Sequence, residues 1–145
     1  RYFFIEHPKK ITINGAPELE ISAPLHPTNA SLGYRLLNTY KNFYVSDKID
    51  DGVNYRFMHL FNFKDEKFIS MKIDKTLNSK IIHWLPISSN LIQVEILMPD
   101  GSIKDGVSES NISNLKIGEI IQFERNFFVR LEEKGEKYKF IFCHK

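Results

Sequence analysis

The feature that most constrains this chain is a period of two that returns from one end to the other. Lys10-Ile11-Thr12-Ile13, Leu19-Glu20-Ile21 and Phe43-Tyr44-Val45 each alternate between apolar and polar or amphipathic side chains. The longest early run, Val53 to Phe63, places Val53, Tyr55, Phe57, Phe61 and Phe63 on one face. Ile92, Val94, Ile96 and Met98 repeat the pattern. So do Ile121, Phe123, Phe127 (after a gap at Arg125), Val129 and Leu131, and then Tyr138, Phe140 and Phe142. Successive side chains of a strand point to opposite faces, so each run predicts a half-buried strand. Turn signals separate the runs at Asn14-Gly15, Asp51-Gly52, Pro99-Asp100-Gly101, Asp105-Gly106 and Lys134-Gly135. Helical spacing is confined to Ser108–Leu115, Thr76–Lys80 and the stretch near Ser31, enough for a turn or two each. The expectation is an all-β fold: two small β-barrels joined by continuous strands, with one or two short helical turns.

Composition removes several alternatives. At 145 residues the chain holds one domain or two small β modules, and 42% hydrophobic content is too apolar for disorder. No apolar run approaches the roughly 20 residues of a membrane-spanning helix, so no membrane partner is expected. One cysteine, Cys143, excludes an internal disulfide and agrees with a reducing, cytoplasmic setting. The opening Arg1-Tyr2-Phe3-Phe4-Ile5, without an initiator Met, reads as the interior of a longer protein.

The residues offer no self-contained catalytic centre. The five histidines, His7, His26, His59, His83 and His144, show no metal-ligand spacing. Asp50-Asp51 and Glu132-Glu133 are neighbours whose side chains diverge on a strand. The glycines are isolated turn residues and no serine stands in an elbow motif. Polar side chains do interleave with aromatics, as in Tyr55-Arg56-Phe57, Gln122-Phe123-Glu124-Arg125 and Phe127-Phe128-Val129-Arg130. Unpaired RNA bases stack on aromatic or guanidinium planes and are read along their edges, which such a mixture can do. The same alternation also describes a sheet with one dry and one wet face. With a net charge of only +2, spacing alone leaves three readings open: an RNA reader, a β-barrel that binds RNA shape or protein as ribosomal proteins do, and a small hydrolase.

Five segments then carry a resemblance. Arg1-Tyr2-Phe3-Phe4-Ile5-Glu6-His7-Pro8 opens the chain, and Pro24-Leu25-His26-Pro27 is followed by Gly33-Tyr34-Arg35. Gly52 through Phe63 contains Arg56 and Leu60-Phe61-Asn62, and Lys80-Ile81-Ile82-His83-Trp84-Leu85-Pro86 comes next. The most specific piece is Gly118-Glu119-Ile120-Ile121-Gln122-Phe123-Glu124-Arg125. In this order, over essentially all 145 residues, they resemble the anticodon-binding β-barrel region at the C-terminal end of archaeal-type glutamyl-tRNA synthetases, related to the glutaminyl-tRNA synthetase tail. The sequence departs from that pattern at Met58, where part of the family is basic. It departs again at Asn126-Phe127-Phe128, where relatives carry an aromatic and then glycine.

The resemblance implies that residues 1–145 form an anticodon-binding region, with barrel one at about 1–40 plus 108–145 and barrel two at about 41–107. It implies a fragment of a glutamate-tRNA ligase that reads the anticodon loop of tRNA-Glu, with tRNA-Gln left open. Attachment of glutamate with ATP and Mg would belong to an upstream catalytic domain, and this segment would carry no cofactor or catalytic residue. The parent would act as a cytoplasmic monomer. By motif position, Arg1, Gln122 and Arg125 would surround the central anticodon base and Arg56 would touch the first. On an ideal strand Gln122 and Arg125 face opposite sides, so both serve one base only if the strand bulges or ends there. Trp84 is expected in the core, and His26 as a turn-fixing residue.

Overall fold

Half-apolar strands can hide their dry faces and their edges together by closing into rings. The computed structural model, which describes residues 1–145, is an all-β fold of fifteen short strands with three 3₁₀ turns. Six strands form one sheet in the order Phe4–Glu6, Ile103–Ser108, Ile92–Leu97, Lys137–His144, Phe128–Lys134, Ile120–Gln122. Its two edges meet. Tyr2 N donates to Gln122 O at 3.0 Å and Glu124 N donates to Tyr2 O at 2.8 Å, so the sheet closes on itself. Phe4, Val94, Ile96, Phe123, Val129, Leu131 and Phe140 fill it within a core of 10 buried residues.

A second ring occupies the stretch between. Lys9–Thr12, Asn42–Val45 and Leu85–Pro86 pair in one sheet; Lys67–Ser70, Asn62–Lys64, Tyr55–Phe57 and Lys80–Ile82 pair in another. Asn14 bridges them on one side, donating to Glu66 O at 2.8 Å and accepting from Phe68 N at 2.9 Å. On the other side the chain itself runs from Lys80–Ile82 through His83 and Trp84 into Leu85–Pro86. The hairpin Leu19–Pro24 with Tyr34–Thr39 adds Ala23 and Leu37 to this ring's core of 18 buried residues. That core is aromatic: the Phe43 ring lies 4.7 Å from Phe57 and 5.8 Å from both Phe61 and Trp84, centroid to centroid. Trp84 is fully buried as expected, and its Nε1 donates to Met58 O at 2.8 Å.

The first strand belongs to both rings. Phe3 and Ile5 enter the larger core, whereas Phe4 enters the smaller one. Gly106 makes that sharing possible, because a Cβ there would collide with the Ile5 carbonyl and the Phe4 ring. Asp105-Gly106 is therefore not the turn its composition suggests. It lies inside the strand Ile103–Ser108, where close backbone approach excludes a side chain.

Buried residues divide between the two cores. Ile11, Ile13, Ala23 and Leu37 pack with Phe43 to Leu85, while Val94 and Ile96 pack with Ile112 to Phe140. Two further expectations, both of single strands, are corrected. Val53–Phe63 is a hairpin and not one strand: Tyr55–Phe57 pairs antiparallel with Asn62–Lys64, and His59 turns the chain at φ 65. Ile121–Leu131 is likewise a hairpin, from Ile120–Gln122 into Phe128–Lys134. The helical stretches are 3₁₀ turns at Ala30–Leu32, Lys75–Leu77 and Ser110–Asn114. No helix is long and apolar enough to cross a membrane.

Candidate nucleic-acid interface

Ring closure places Arg1 beside the end of the strand Ile120–Gln122. Arg1 Nε donates to Gln122 Oε1 at 3.1 Å, and Arg1 Nη1 donates to Glu124 Oε1 at 2.9 Å. The strand stops at Gln122, and Arg125 adopts φ 61 in the turn that follows. Left-handed backbone at a non-glycine residue costs on the order of 1 kcal/mol and needs surrounding structure to hold it. Here Asn126 N donates to Phe123 O at 2.9 Å and closes the turn. The strained position is Arg125 and not Phe127, so the absent family glycine leaves no positive φ behind.

Gln122 and Arg125 consequently diverge. Arg1 and Gln122 line a cavity of about 390 Å³ with Tyr2, His26, Leu32 and Phe128. Arg125 donates to Ile81 O at 3.2 Å and lines a different cavity of about 330 Å³ between the rings, with Lys80, His83, Lys104 and Asn126. Arg56 lines a third, of about 280 Å³, with Asn62, Lys75 and Asn78. Its Nη1 donates to Asn62 Oδ1 and to Met71 O, both at 3.0 Å. Asn62 is buried and in turn donates to Ser70 Oγ at 2.9 Å and to Lys72 O at 2.6 Å. Of the four residues singled out in the sequence, the structure brings together Arg1 and Gln122. Ile81, on the strand paired with that of Arg56, lines both of the other cavities.

Behind Arg1 lies a buried ionic network that sequence reasoning missed. Glu124 is fully buried, and its Oε1 also lies 3.2 Å from His59 Nε2. Arg35 Nη2 stands 3.6 Å from Glu124 Oε2, too far for a hydrogen bond, so charge alone links those atoms. Arg35 Nε faces Glu109 Oε1 at 2.7 Å, and the guanidinium lies 4.9 Å from the Phe3 ring centroid. Glu109 Oε2 accepts from Phe3 N at 2.8 Å. Burial opposes ionisation of Glu124, but the His59 hydrogen bond and charge, with Arg35 and Arg1, outweigh it. The carboxyl is held below its usual range. His83, across the seam, is pushed below its usual range by burial and then by the Arg125 charge. Glu124 sits in the same Gln-Phe-Glu-Arg motif as Gln122 and Arg125, and Arg35 in the Gly-Tyr-Arg one. Those motifs were the only available signal, because a carboxylate beside an arginine ordinarily reads as solvated.

The arrangement suits recognition. It offers three separate cavities, each holding a planar guanidinium that can stack or fork. Comparisons with known proteins agree. The family model described as "tRNA synthetases class I (E and Q), anti-codon binding domain" matches residues 1–82, and a second model of the same description matches 81–132. Glutamate–tRNA ligase of Methanocaldococcus jannaschii is 35% identical over 99% of this chain, and that of Methanococcus maripaludis strain S2 is 36% identical over 100%. The enzyme of Methanobrevibacter smithii is 35% identical over 100%. In all three, the matched part spans 28% of the relative's length.

Proposed function

Because the chain belongs to the class I (E and Q) tRNA synthetase anticodon-binding domain family, we propose that it reads the anticodon loop of tRNA-Glu within a glutamate-tRNA ligase. The observation that carries this is the cavity where Arg1 and Gln122 are bonded to each other and walled by Tyr2, Leu32 and Phe128. An unstacked base entering it meets apolar surface on its face and polar groups at its edge. Arg125 and Arg56, in their own cavities, contact flanking bases, so that three splayed bases are held apart. The chain binds and positions; ATP and Mg act in the rest of a cytoplasmic, monomeric parent, whose catalytic part attaches glutamate. Sharing the tRNA between two sites lets each bind modestly and relies on effective concentration for the whole.

Calorimetric titration with a glutamate-anticodon stem-loop tests the reading. Micromolar or weaker binding that is lost when the anticodon bases are changed supports it. Equal binding to stem-loops of any anticodon would instead indicate recognition of RNA shape.

A further inference from the structure

We infer that His26 is a specificity-determining residue of the Arg1–Gln122 cavity, donating a hydrogen bond from Nε2 to a carbonyl of the bound base; this rests on the reading proposed above. The loop that carries His26 is tied down independently of any ligand. Pro24 O accepts from Arg35 Nη1 at 2.8 Å, Leu25 O accepts from the Arg1 nitrogen at 2.6 Å, and Leu25 N donates to Gly33 O at 3.1 Å. Within it, His26 Nδ1 accepts from Thr28 N at 3.2 Å and from Asn29 N at 3.0 Å. A ring nitrogen that accepts carries no proton, so the neutral imidazole keeps its single N–H on Nε2. The turn-fixing duty of His26 thus consumes one edge of the ring and fixes the other as a donor. His26 lines the same cavity as Arg1 and Gln122.

Gln122 and Arg1 are committed in the same sense. Gln122 spends its oxygen on Arg1 Nε, which has no proton acceptor of its own to offer, so the free end of that side chain is its amide NH₂. Arg1 gives Nη1 to Glu124 and keeps Nη2. Glu119, the one carboxylate lining the cavity, accepts Lys116 N through Oε1. His26, Gln122 and Arg1 therefore turn fixed donors toward the occupant while Glu119 keeps Oε2 as an acceptor, and the best match is a base edge in which two carbonyls flank a donor. Uracil presents two carbonyls flanking its N3–H donor. Cytosine replaces one of them with an amino donor that would meet another donor. The inference makes His26 one of the groups that prefers uracil over cytosine, beyond its part in the turn.

The test uses the whole chain, a glutamate-anticodon stem-loop with central uracil, and the same stem-loop with central cytosine. Asparagine followed by proline can accept the same two backbone N–H groups through Oδ1, so His26→Asn keeps the turn and removes the Nε2 donor. Titration should show the uracil-to-cytosine preference of His26→Asn reduced about tenfold, within the range for one base-edge contact, with an unchanged melting temperature. His26→Ala, which loses both duties, should lose the preference and also melt earlier. Nitrogen-15 shifts of the wild-type ring should show Nδ1 unprotonated, with the Nε2–H resonance moving on addition of the uracil loop. A wild-type preference that survives intact in His26→Asn would overturn the inference while leaving the anticodon reading standing. A wild-type chain that does not prefer either loop would overturn both.

Discussion

The two ends of the candidate interface are held by different physics. Arg1 and Gln122 stand where the six-stranded ring closes, and their polar atoms run into Glu124, Arg35 and Glu109, all buried. Arg56 stands on a strand of the other ring and is positioned by a neutral amide and a backbone carbonyl. At the first place a proposed base-contacting group and a structural joint share atoms. At the second the contact is laid over a core that closes without it. A paired, buried charge contributes little net stability compared with an apolar substitute, yet breaking it exposes the full desolvation cost. The comparison teaches that the proposed recognition is coupled to stability at Arg1 and nearly separate from it at Arg56.

The largest expected effect tests that coupling. Glu124→Ala should cost about 3–5 kcal/mol in urea unfolding, since it strands Arg35 and removes the anchor of Arg1. Arg56→Ala should cost about 1 kcal/mol, the scale of losing one hydrogen-bond partner for Asn62. Equal losses would break the comparison.

Next in size is base discrimination. Gln122→Ala and Arg125→Ala should each cost roughly 1–3 kcal/mol of preference for the cognate loop in competition titrations. Uniform weakening toward all loops would reduce these residues to sources of charge.

Acid should act on the joint before it acts on Arg56. His83 has its folded pKa below the ordinary histidine value of 6.5. Its contribution is present above that value and is lost as pH falls toward the folded pKa. Glu124 is also depressed, from 4.5, so its contribution is present above that value and disappears as pH falls through the lower folded one. Unfolding free energy should therefore decline in two steps below neutrality, and His83→Gln should flatten the first. A profile unchanged by that substitution would place the proton uptake elsewhere.

The smallest effect is that of salt. With a net charge of +2, log affinity for a stem-loop should fall against log salt with a slope magnitude of at most about 3, at roughly 0.7 per neutralised phosphate. A steeper slope would mean that charge, not edge contact, dominates at both places.

How far these features could be read in advance depends on the range of the force behind each. Period-two alternation marked Tyr55, Phe57, Phe61 and Phe63 as buried, which they are, because side-chain alternation is local. It could not tell one strand from a hairpin. The run keeps its parity through His59, and only the left-handed backbone there reverses the chain. Asp105-Gly106 misled because a glycine needed for close approach looks like a glycine needed for a turn. Phe3-Phe4-Ile5 showed alternation without showing that both faces are covered, each by a different core. Among site residues, the family motifs pointed to Arg1, Gln122, Arg125 and Arg56. Their separation into different cavities follows from contacts such as Arg125 with Ile81, 44 residues apart, that no local pattern encodes.

The strand that Phe3, Phe4 and Ile5 share between two cores has a mechanical consequence. Two barrels joined by a tether could swing, and their pockets would drift relative to one another. Two barrels built on a common wall cannot hinge without pulling aromatic side chains out of one interior or the other. The chain therefore behaves as a caliper with its jaws locked: the spacing between the Arg1, Arg125 and Arg56 cavities is a fixed dimension of the fold. An RNA loop measured by such an instrument has to supply the deformation itself. On the reading proposed above, loops that unstack at low cost should fit the jaws, and stiff loops should be refused before any base edge is read.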